Sequence, residues 1–268
     1  MISVIMGIYN SPNKEQVELS INSILNQTYT DFEFIICDDG STDDTYMFLQ
    51  EFASKDKRIV LLHNDKNNGL AFTLNTCLKK AKGKYIARMD ADDIALPDRF
   101  AIEYDFLELN PQYAMVGCNI NYIDDGGIWG YRMLPEKVKK EDFLFSSPFV
   151  HPSIMIRTEV LKRLDGYRVE SVTLRQEDYD LWMRLYAAGY EGYNIQQVLL
   201  NFREDKYSYG RRKYRYRLDE AYVRYRGFRS LGLLYKGFLY VLKPVLVGLI
   251  PNVVLKKIRF LYAKNHIF

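Results

Sequence analysis

The sequence has few cysteines, and their arrangement excludes two classes of protein. Only three are present, Cys37, Cys77 and Cys118, and no two of them form a C-x-x-C pair. An odd number of widely spaced cysteines argues against a disulfide framework and against a zinc site built from cysteine. We therefore expect the chain to work in a reducing compartment, which predicts a cytoplasmic protein.

The first ten residues, MISVIMGIYN, lack a positively charged start ahead of their apolar run. This pattern predicts a buried strand in place of a signal peptide. Hydrophobic residues make up 48% of the 268 residues and charged residues 26%, which is an ordinary globular balance. The length fits one large domain, or one domain with an appendage.

The net charge of +3 hides a strong asymmetry along the chain. From Arg203 onward there are 16 Lys and Arg against 4 Asp and Glu, so this part has a net charge of about +12 and the preceding part about −9. Such a division predicts two functions in one chain, with the basic part facing an anionic partner.

The first half alternates short apolar runs with patterns of helical spacing. The apolar runs lack polar alternation, which is typical of strands buried on both faces. Strands and helices alternating on this scale predict an α/β fold with a mostly parallel sheet between helices. The predicted strands are Ser3–Ile8, Phe32–Cys37, Arg58–His63 and Lys84–Met89, and the predicted helices are Val17–Asn26, Thr45–Ser54 and Leu70–Ala81.

The loops after these strands are polar, and two of them are acidic. The second strand ends at DDGSTDD and the fourth at DADD. Alone, DDGSTDD is typical of a turn that caps the next helix, but ligands of such sheets bind where these loops meet. Neighbouring carboxylates repel one another unless a cation joins them, and Mg²⁺ and Mn²⁺ prefer carboxylate oxygen and leave positions for phosphate. We therefore expect a divalent metal that holds a diphosphate.

Six segments, taken in order, resemble family 2 glycosyltransferases with the GT-A fold: SVIMGIYN, IICDDGSTDDT, NNGLAFTLN, GKYIARMDADDIALPDR, HPSIMIR and QEDYDLWMRL. The resemblance spans about the first 190 residues. It implies a Rossmann-like, three-layer α/β/α domain over residues 1–205, with a nucleotide-binding half at about 1–100 and an acceptor-binding half at about 101–205. Residues 206–268 would then form a basic, amphipathic helical segment.

The resemblance also implies donor-site roles. Asp39 matches the carboxylate that accepts a hydrogen bond from uracil N3–H, and Asp38 would order its loop. Asp92 matches the metal-binding member of the Asp-x-Asp motif, with Asp90 at the ribose or the metal shell. We expect Asp93 to cap the turn that leads to Pro97.

The segment RQEDYDLWMRLYAAG predicts a helix that starts near Glu177. Acidic residues at a helix N-terminus are stabilised by the helix dipole, which by itself could explain why Glu177 and Asp178 occur here. The resemblance, however, places Asp178 where an inverting enzyme has its general base. Asp180 is expected to be a solvated helix residue. His151, before a proline, is a candidate contact to donor phosphates or acceptor, although a structural hydrogen bond is more typical of its position.

The chain lacks a Q-x-x-R-W sequence, the mark of processive polysaccharide synthases. These observations predict transfer of one sugar, from a nucleotide donor such as UDP-sugar to a glycan acceptor, with Mn²⁺ or Mg²⁺. One alternative is a nucleotidyltransferase, although the loop after the first strand has no glycine-rich phosphate motif. Another is a non-catalytic module that binds glycan or membrane.

The basic tail interleaves Arg and Lys with Tyr and then turns apolar. Nothing in it resembles a nucleic-acid-binding fold, so we expect no nucleic-acid partner. The run Leu231–Leu255 is long enough to span a bilayer, but two lysines interrupt it and Pro244 and Pro251 break it. It predicts amphipathic helices on the anionic inner face of the cell membrane, which suits a lipid-linked acceptor. The alternative is a helical cap packed on the domain.

Overall fold

The computed structural model describes residues 1–204 and 214–250. In this part of the chain nine strands form one mixed sheet with helices on both faces. The strands are β1 Ile2–Ile8, β2 Phe32–Asp38, β3 Ile59–His63, β4 Tyr85–Arg88, β5 Ile94–Ala95, β6 Tyr113–Asp124, β7 Gly127–Arg132, β8 Met155–Arg157 and β9 Glu191–Arg203. The α-helices are α1 Lys14–Leu25, α2 Thr45–Lys55, α3 Leu70–Lys80, α4 Arg99–Leu109, α5 Thr158–Arg163, α6 Glu177–Ala187, α7 Arg215–Ser230 and α8 Leu234–Gly248.

The sheet is mostly parallel, as its sequence pattern predicts. Its strand order is β3-β2-β1-β4-β8-β6-β9-β5, with β7 paired to β6. The short strand β8 runs antiparallel to both β4 and β6, so β6 and β9 run in the same direction as the first four strands. The order of strands along the chain reverses between β1 and β4, and the loops after these two strands therefore open a crevice at one edge of the sheet.

Strand β1 shows why the sequences of the predicted strands are continuous apolar runs. Val4 and Met6 face one layer, where α1, α2 and α4 pack, and Ile5 faces the other, where α3, α5, α6 and α7 pack. Because both faces are buried, alternation of apolar and polar residues is absent. The four predicted strands and three predicted helices are confirmed, and their ends shift by no more than a few residues.

The two last helices differ in how they meet the domain. Helix α7 buries Val223 and Phe228 in the core beside α6. Helix α8 buries Gly237 and Val241 but leaves a large apolar side exposed. Among the described residues, no helix has the length and hydropathy that crossing a bilayer requires. Of the predicted run Leu231–Leu255, the last five residues lie outside the described part.

Candidate active site

Three carboxylates lie together in the loop after β4. Oxygen atoms of Asp90, Asp92 and Asp93 all lie within 4.8 Å of one another. Asp93 is fully buried, and its Oδ1 accepts a hydrogen bond of 2.7 Å from the backbone N–H of Arg203 at the end of β9. The sequence predicted that Asp93 caps the turn towards Pro97. Its carboxylate instead joins the acidic loop to β9.

This acidic cluster is short of positive charge. Burial, followed by repulsion from Asp90, raises the pKa of Asp92 to about 6. Burial and the charges of Asp90 and Asp92 raise the pKa of Asp93 well above its usual range, and its Oδ2 has no hydrogen-bond partner among the described residues. Three hard oxygen donors that repel one another fit a divalent cation such as Mg²⁺ or Mn²⁺.

Arg88, the last residue of β4, is the buried cation beneath this cluster. One of its terminal nitrogens forms an ion pair with Asp90. Its side chain is 4% exposed, and its Nε and Nη1 have no hydrogen-bond partner among the described residues. The sequence analysis did not single out Arg88. The available signal was its position at the carboxyl end of β4, two residues before Asp90 in the acidic loop.

The acidic loop after β2 is held by hydrogen bonds to neighbouring loops. The carboxylate of Asp39 accepts hydrogen bonds from the backbone N–H groups of Asn68 and Gly69, just ahead of α3, the latter at 2.8 Å. Asp38 accepts from Ser41 N–H at 3.0 Å and lies 2.9 Å from His63 Nδ1. Asp38 thus orders the loop in which it lies, while Asp39 faces the start of α3.

Asp178 and Glu177 lie in the first turn of α6. Burial is the main cause that raises the pKa of Asp178, and the charge of Asp90 adds to it, while Arg88 and the Tyr179 N–H act in the opposite direction. Burial likewise raises the pKa of Glu177. The electrostatic influence of Asp90 and Arg88 on Asp178 indicates that the start of α6 lies near the loop after β4. A carboxylate whose pKa is raised is a stronger proton acceptor when ionised.

His151 packs against Tyr167 and Trp182. Its Nε2 shares a hydrogen bond of 2.8 Å with the hydroxyl of Tyr167, and its ring lies 6.1 Å from that of Trp182. Burial, and then the charge of Arg88, hold its pKa well below the usual range. The lowered pKa favours the neutral imidazole, and the observed contacts of His151 are those of a packed hydrogen-bonding residue.

Asp180 is not the solvated residue that the sequence predicted. Its side chain is 4% exposed, and it forms ion pairs with Arg168 at 3.0 Å, Arg184 at 2.8 Å and Arg226 at 2.7 Å. Arg226 belongs to α7, which the sequence pattern did not place against α6. Arg184 is one turn further along α6, but Arg168 and Arg226 lie 12 and 46 residues away along the chain, which is why the local pattern did not predict this network.

A pocket of about 190 Å³ opens beside Glu177, between the start of α3 and the residues that precede α6. The pocket extends from the residues that bind Asp39 to the start of α6, which carries Asp178. Its lining offers carboxylates, hydroxyls and aliphatic groups to a ligand. The lining residues are Asn68, Gly69, Leu70, Ala71, Val169, Glu170, Ser171, Thr173, Leu174 and Glu177.

Comparisons with known sequences identify the family. The model described as "Glycosyl transferase family 2" matches residues 3–165, and that of "Glycosyl transferase family group 2" matches residues 85–263. EpsE of Bacillus subtilis is 39% identical over 257 residues, which cover 96% of this chain and 92% of EpsE. The UDP-Glc:alpha-D-GlcNAc-diphosphoundecaprenol beta-1,3-glucosyltransferase WfgD of Escherichia coli is 32% identical over 207 residues, with 77% of this chain and 76% of WfgD covered.

Solved structures show the same fold. TarS of S. aureus in complex with UDP superimposes with a TM-score of 0.66 at 18% identity, over 89% of this chain and 72% of that structure. The mannosyltransferase PcManGT of Pyrobaculum calidifontis, solved with GDP-Man and Mn²⁺, gives a TM-score of 0.63 at 19% identity, over 98% and 80%. The predicted GT-A fold is thereby confirmed.

Proposed function

This chain belongs to glycosyltransferase family 2 and is a glycosyltransferase, and we propose that it transfers one sugar, with inversion, from a nucleotide-sugar to a hydroxyl of a glycan acceptor. The observation that supports this reaction most directly is the convergence of Asp178 with the acidic cluster after β4. A proton acceptor and a candidate metal site in one crevice are the two groups that such a transfer requires. The family assignment leaves no reason to retain the nucleotidyltransferase alternative.

In the proposed reaction, Asp178 takes the proton of the acceptor hydroxyl. The acceptor oxygen forms a bond to the anomeric carbon of the donor sugar, and the bond from that carbon to the diphosphate oxygen breaks, with its electron pair leaving on the nucleoside diphosphate. The raised pKa of Asp178 favours this proton transfer, since a base is most effective when its pKa approaches the working pH.

Asp90 and Asp92, with Asp93 beside them, are the residues that would hold a divalent cation. When bound, Mn²⁺ or Mg²⁺ would neutralise the charge of the departing diphosphate. Arg88 holds Asp90 through its buried guanidinium, which forms an ion pair with that carboxylate.

We assign the donor as a UDP-sugar. Asp39 would accept the uracil N3–H while its loop is held by Asn68 and Gly69, and Asp38 would keep that loop in place. The likeness to TarS, which was solved with UDP, supports this choice, while the GDP-Man of PcManGT makes GDP the competing nucleotide.

The acceptor that we propose is a lipid-linked glycan in bacterial polysaccharide synthesis. The support is the similarity to WfgD, whose name specifies a diphosphoundecaprenol acceptor. The exposed apolar side of α8, next to Lys236, supports a peripheral position on an anionic membrane, with the active site on the cytoplasmic side.

Calorimetric titration of UDP, GDP and CDP into the purified protein, with Mn²⁺ and then with chelator, tests the donor site. We expect metal-dependent binding of UDP alone, followed by release of UDP from one member of a UDP-sugar panel. Selective binding of GDP would replace the donor and keep the mechanism. Absence of binding to all three in the presence of Mn²⁺ would contradict the proposal.

The non-catalytic alternative makes a different prediction. If the chain acts only as a module that binds glycan or membrane, Asp92→Asn and Asp178→Asn would leave its cellular role intact. A strain in which either variant fails to restore glycan synthesis, although the protein is present at normal abundance, would exclude that alternative.

A further inference from the structure

Helix α7 contacts the residues that lead into the catalytic helix, and this contact has no part in the reaction described above. We name residues 168–178 the base-bearing segment, because it ends at Asp178. The segment contains little regular secondary structure: a 3₁₀ turn at Ser171–Thr173 and the first residues of α6. Val169 and Leu174 within it are exposed. Such a segment needs contacts from outside to hold one conformation.

The first external contact is made by Arg226 of α7. Its Nη2 donates to Asp180 at 2.7 Å and its Nη1 to Glu170 at 2.7 Å, so one guanidinium joins Glu170, near the start of the segment, to Asp180, two residues beyond its end. Arg168, inside the segment, binds the same Asp180 oxygen at 3.0 Å. Hydrogen bonds between charged groups are the stronger class, and Asp180 is almost fully buried, which protects these bonds from solvent.

The second contact lies one residue before the N-cap of α6. Arg175 has a φ of 69°, in the left-handed region that a non-glycine residue seldom adopts. Its guanidinium lies over the ring of Tyr216 on α7, 5.1 Å from the ring centre. The backbone N–H of Arg175 faces the carboxylate of Glu177, so this turn sets the direction in which α6 begins.

Close packing of the two helices makes the contact rigid. Gly227, next to Arg226, lies directly against Met183 of α6, and a Cβ added there would clash with the Met183 side chain. Phe228, the next residue of α7, is fully buried and lies against Gly237 of α8. A displacement of α7 would therefore move the start of α6 with it.

We propose that α7 clamps the base-bearing segment and that Arg226 is a positioning residue for Asp178. This inference rests on the proposed role of Asp178 as the base. Arg226 touches no substrate; it fixes Asp180 and Glu170, and these fix the turn on which Asp178 lies. A misplacement of a reacting group by about 1 Å lowers the rate of an enzyme by as much as about 100-fold, so the loss of one such contact has a measurable effect.

The test compares Arg226→Ala with Arg226→Lys and with the control Arg229→Ala, an exposed arginine on the same helix. Amide hydrogen exchange is measured first, because it needs no substrate. In Arg226→Ala, we expect about tenfold faster exchange in residues 168–178, with exchange in the loops at 38–41 and 90–93 unchanged. Arg226→Lys should restore part of the protection, since lysine keeps the charge but cannot bind two carboxylates through a fixed fork.

The second readout is catalysis, measured as UDP release from the UDP-sugar that the panel identifies. We expect kcat to fall about tenfold in Arg226→Ala while the Kd for UDP with Mn²⁺ stays within about twofold of the parent. Tyr216→Leu, at the other end of the clamp, should give the same selective loss and serves if Arg226→Ala fails to fold.

Unchanged exchange in 168–178, or an equal effect of Arg229→Ala, would overturn the inference. So would a parallel loss of kcat and UDP affinity. Failure of the proposed function is distinguishable, because it would appear as transfer that survives Asp178→Asn or as absence of UDP binding by the parent protein. In that case, the hydrogen exchange of residues 168–178 in Arg226→Ala still shows whether α7 holds this segment in place.

Discussion

Asp178 and Asp180 lie two residues apart on α6, and their surroundings give them different roles. Asp180 is enclosed by Arg168, Arg184 and Arg226, so its charge is compensated on every side. Asp178 faces the crevice, where burial and the charge of Asp90 raise its pKa. At the residue scale, the number of arginines in contact separates the structural carboxylate from the candidate base.

Asp178→Asn should abolish transfer and leave donor binding intact, because only the proton acceptor is lost. We expect the rate of transfer to fall by at least about 100-fold and the Kd for UDP with Mn²⁺ to change by less than about threefold. Asp180→Asn is not a matched control, since it breaks the arginine network; Glu159→Gln, which changes an exposed acid on α5, is the better one. Equal losses of binding and transfer in Asp178→Asn would remove its assignment as the base.

The buried pair of Arg99 and Glu103 on α4 gives a prediction about pH. Both side chains are fully buried, and burial raises the pKa of Glu103 from 4.5 to about 7 against the attraction of Arg99, 3.1 Å away. Between these two pKa values the folded state binds more protons than the unfolded state. The contribution of Glu103 to the free energy of unfolding therefore falls as the pH rises from about 4.5 to about 7.

Urea unfolding of the parent and of Glu103→Gln at pH 5, 6, 7 and 8 measures this contribution. The difference in unfolding free energy, parent minus variant, should decrease with pH by at most about 1.4 kcal/mol per unit, and it should level off above pH 7. A difference that grows with pH would mean that Arg99, and not burial, controls the pKa of Glu103.

At the scale of elements, the two described helices of the tail differ in exposure: α7 is packed on the domain, and α8 leaves one side exposed to solvent. Helix α7 packs on α6. This part of the tail therefore follows the alternative prediction from the sequence, a helical cap packed on the domain. Helix α8 packs on α7 through one side only, and its opposite side presents apolar residues at three- and four-residue spacing. These exposed residues are Tyr235, Phe238, Leu239, Leu242, Leu246 and Leu249. The element available for a membrane surface is therefore α8.

The double variant Leu239→Asp and Leu246→Asp should weaken binding to anionic lipid vesicles. Both leucines are more than half exposed, so the folded protein should tolerate aspartate, while burying two carboxylates in the membrane interface is unfavourable. We expect at least tenfold less protein to sediment with vesicles that contain phosphatidylglycerol, an order-of-magnitude figure. Leu109→Asp, on an exposed leucine of α4, is the control. Undiminished sedimentation of the double variant would exclude α8 as the attachment surface.

At the scale of the whole molecule, the candidate site depends on elements from both halves of the chain. The loops after β2 and β4 come from the first hundred residues, and the start of α6 comes from the second half. The sheet joins them, with a core on each face. A ligand that binds across this edge therefore stabilises the folded state as a unit.

In the presence of saturating Mn²⁺, UDP at about 100 times its Kd should stabilise the folded protein by about 2.7 kcal/mol relative to Mn²⁺ alone. For a domain of this size the increase corresponds to a rise in Tm of about 5 to 10 °C, and a chelator should reverse it. Calorimetric scans with UDP alone, Mn²⁺ alone and both together measure the effect. Full stabilisation by UDP in the presence of chelator would show that the nucleotide does not need the metal.

The sequence by itself determined the α/β architecture and most of the candidate residues. The apolar runs of β1 to β4 are local signals, since burial on both faces leaves no polar position within a strand. The acidic loops follow these runs directly, so their meeting at one sheet edge could be predicted before any coordinate was known. The resemblance to the family then implied the donor-site roles of Asp39 and Asp92 and the role of Asp178 as base.

Only the tertiary structure decided which carboxylates are compensated. Whether Asp180 is solvated depends on Arg226, 46 residues away along the chain, and the partner of Asp93 is the backbone of Arg203, 110 residues away. Arg88 became visible as the buried cation of the site only once β4, the acidic cluster and α6 were brought together. Periodicity and motifs report on neighbours within a few positions, whereas charge compensation depends on distances in space that the fold alone sets.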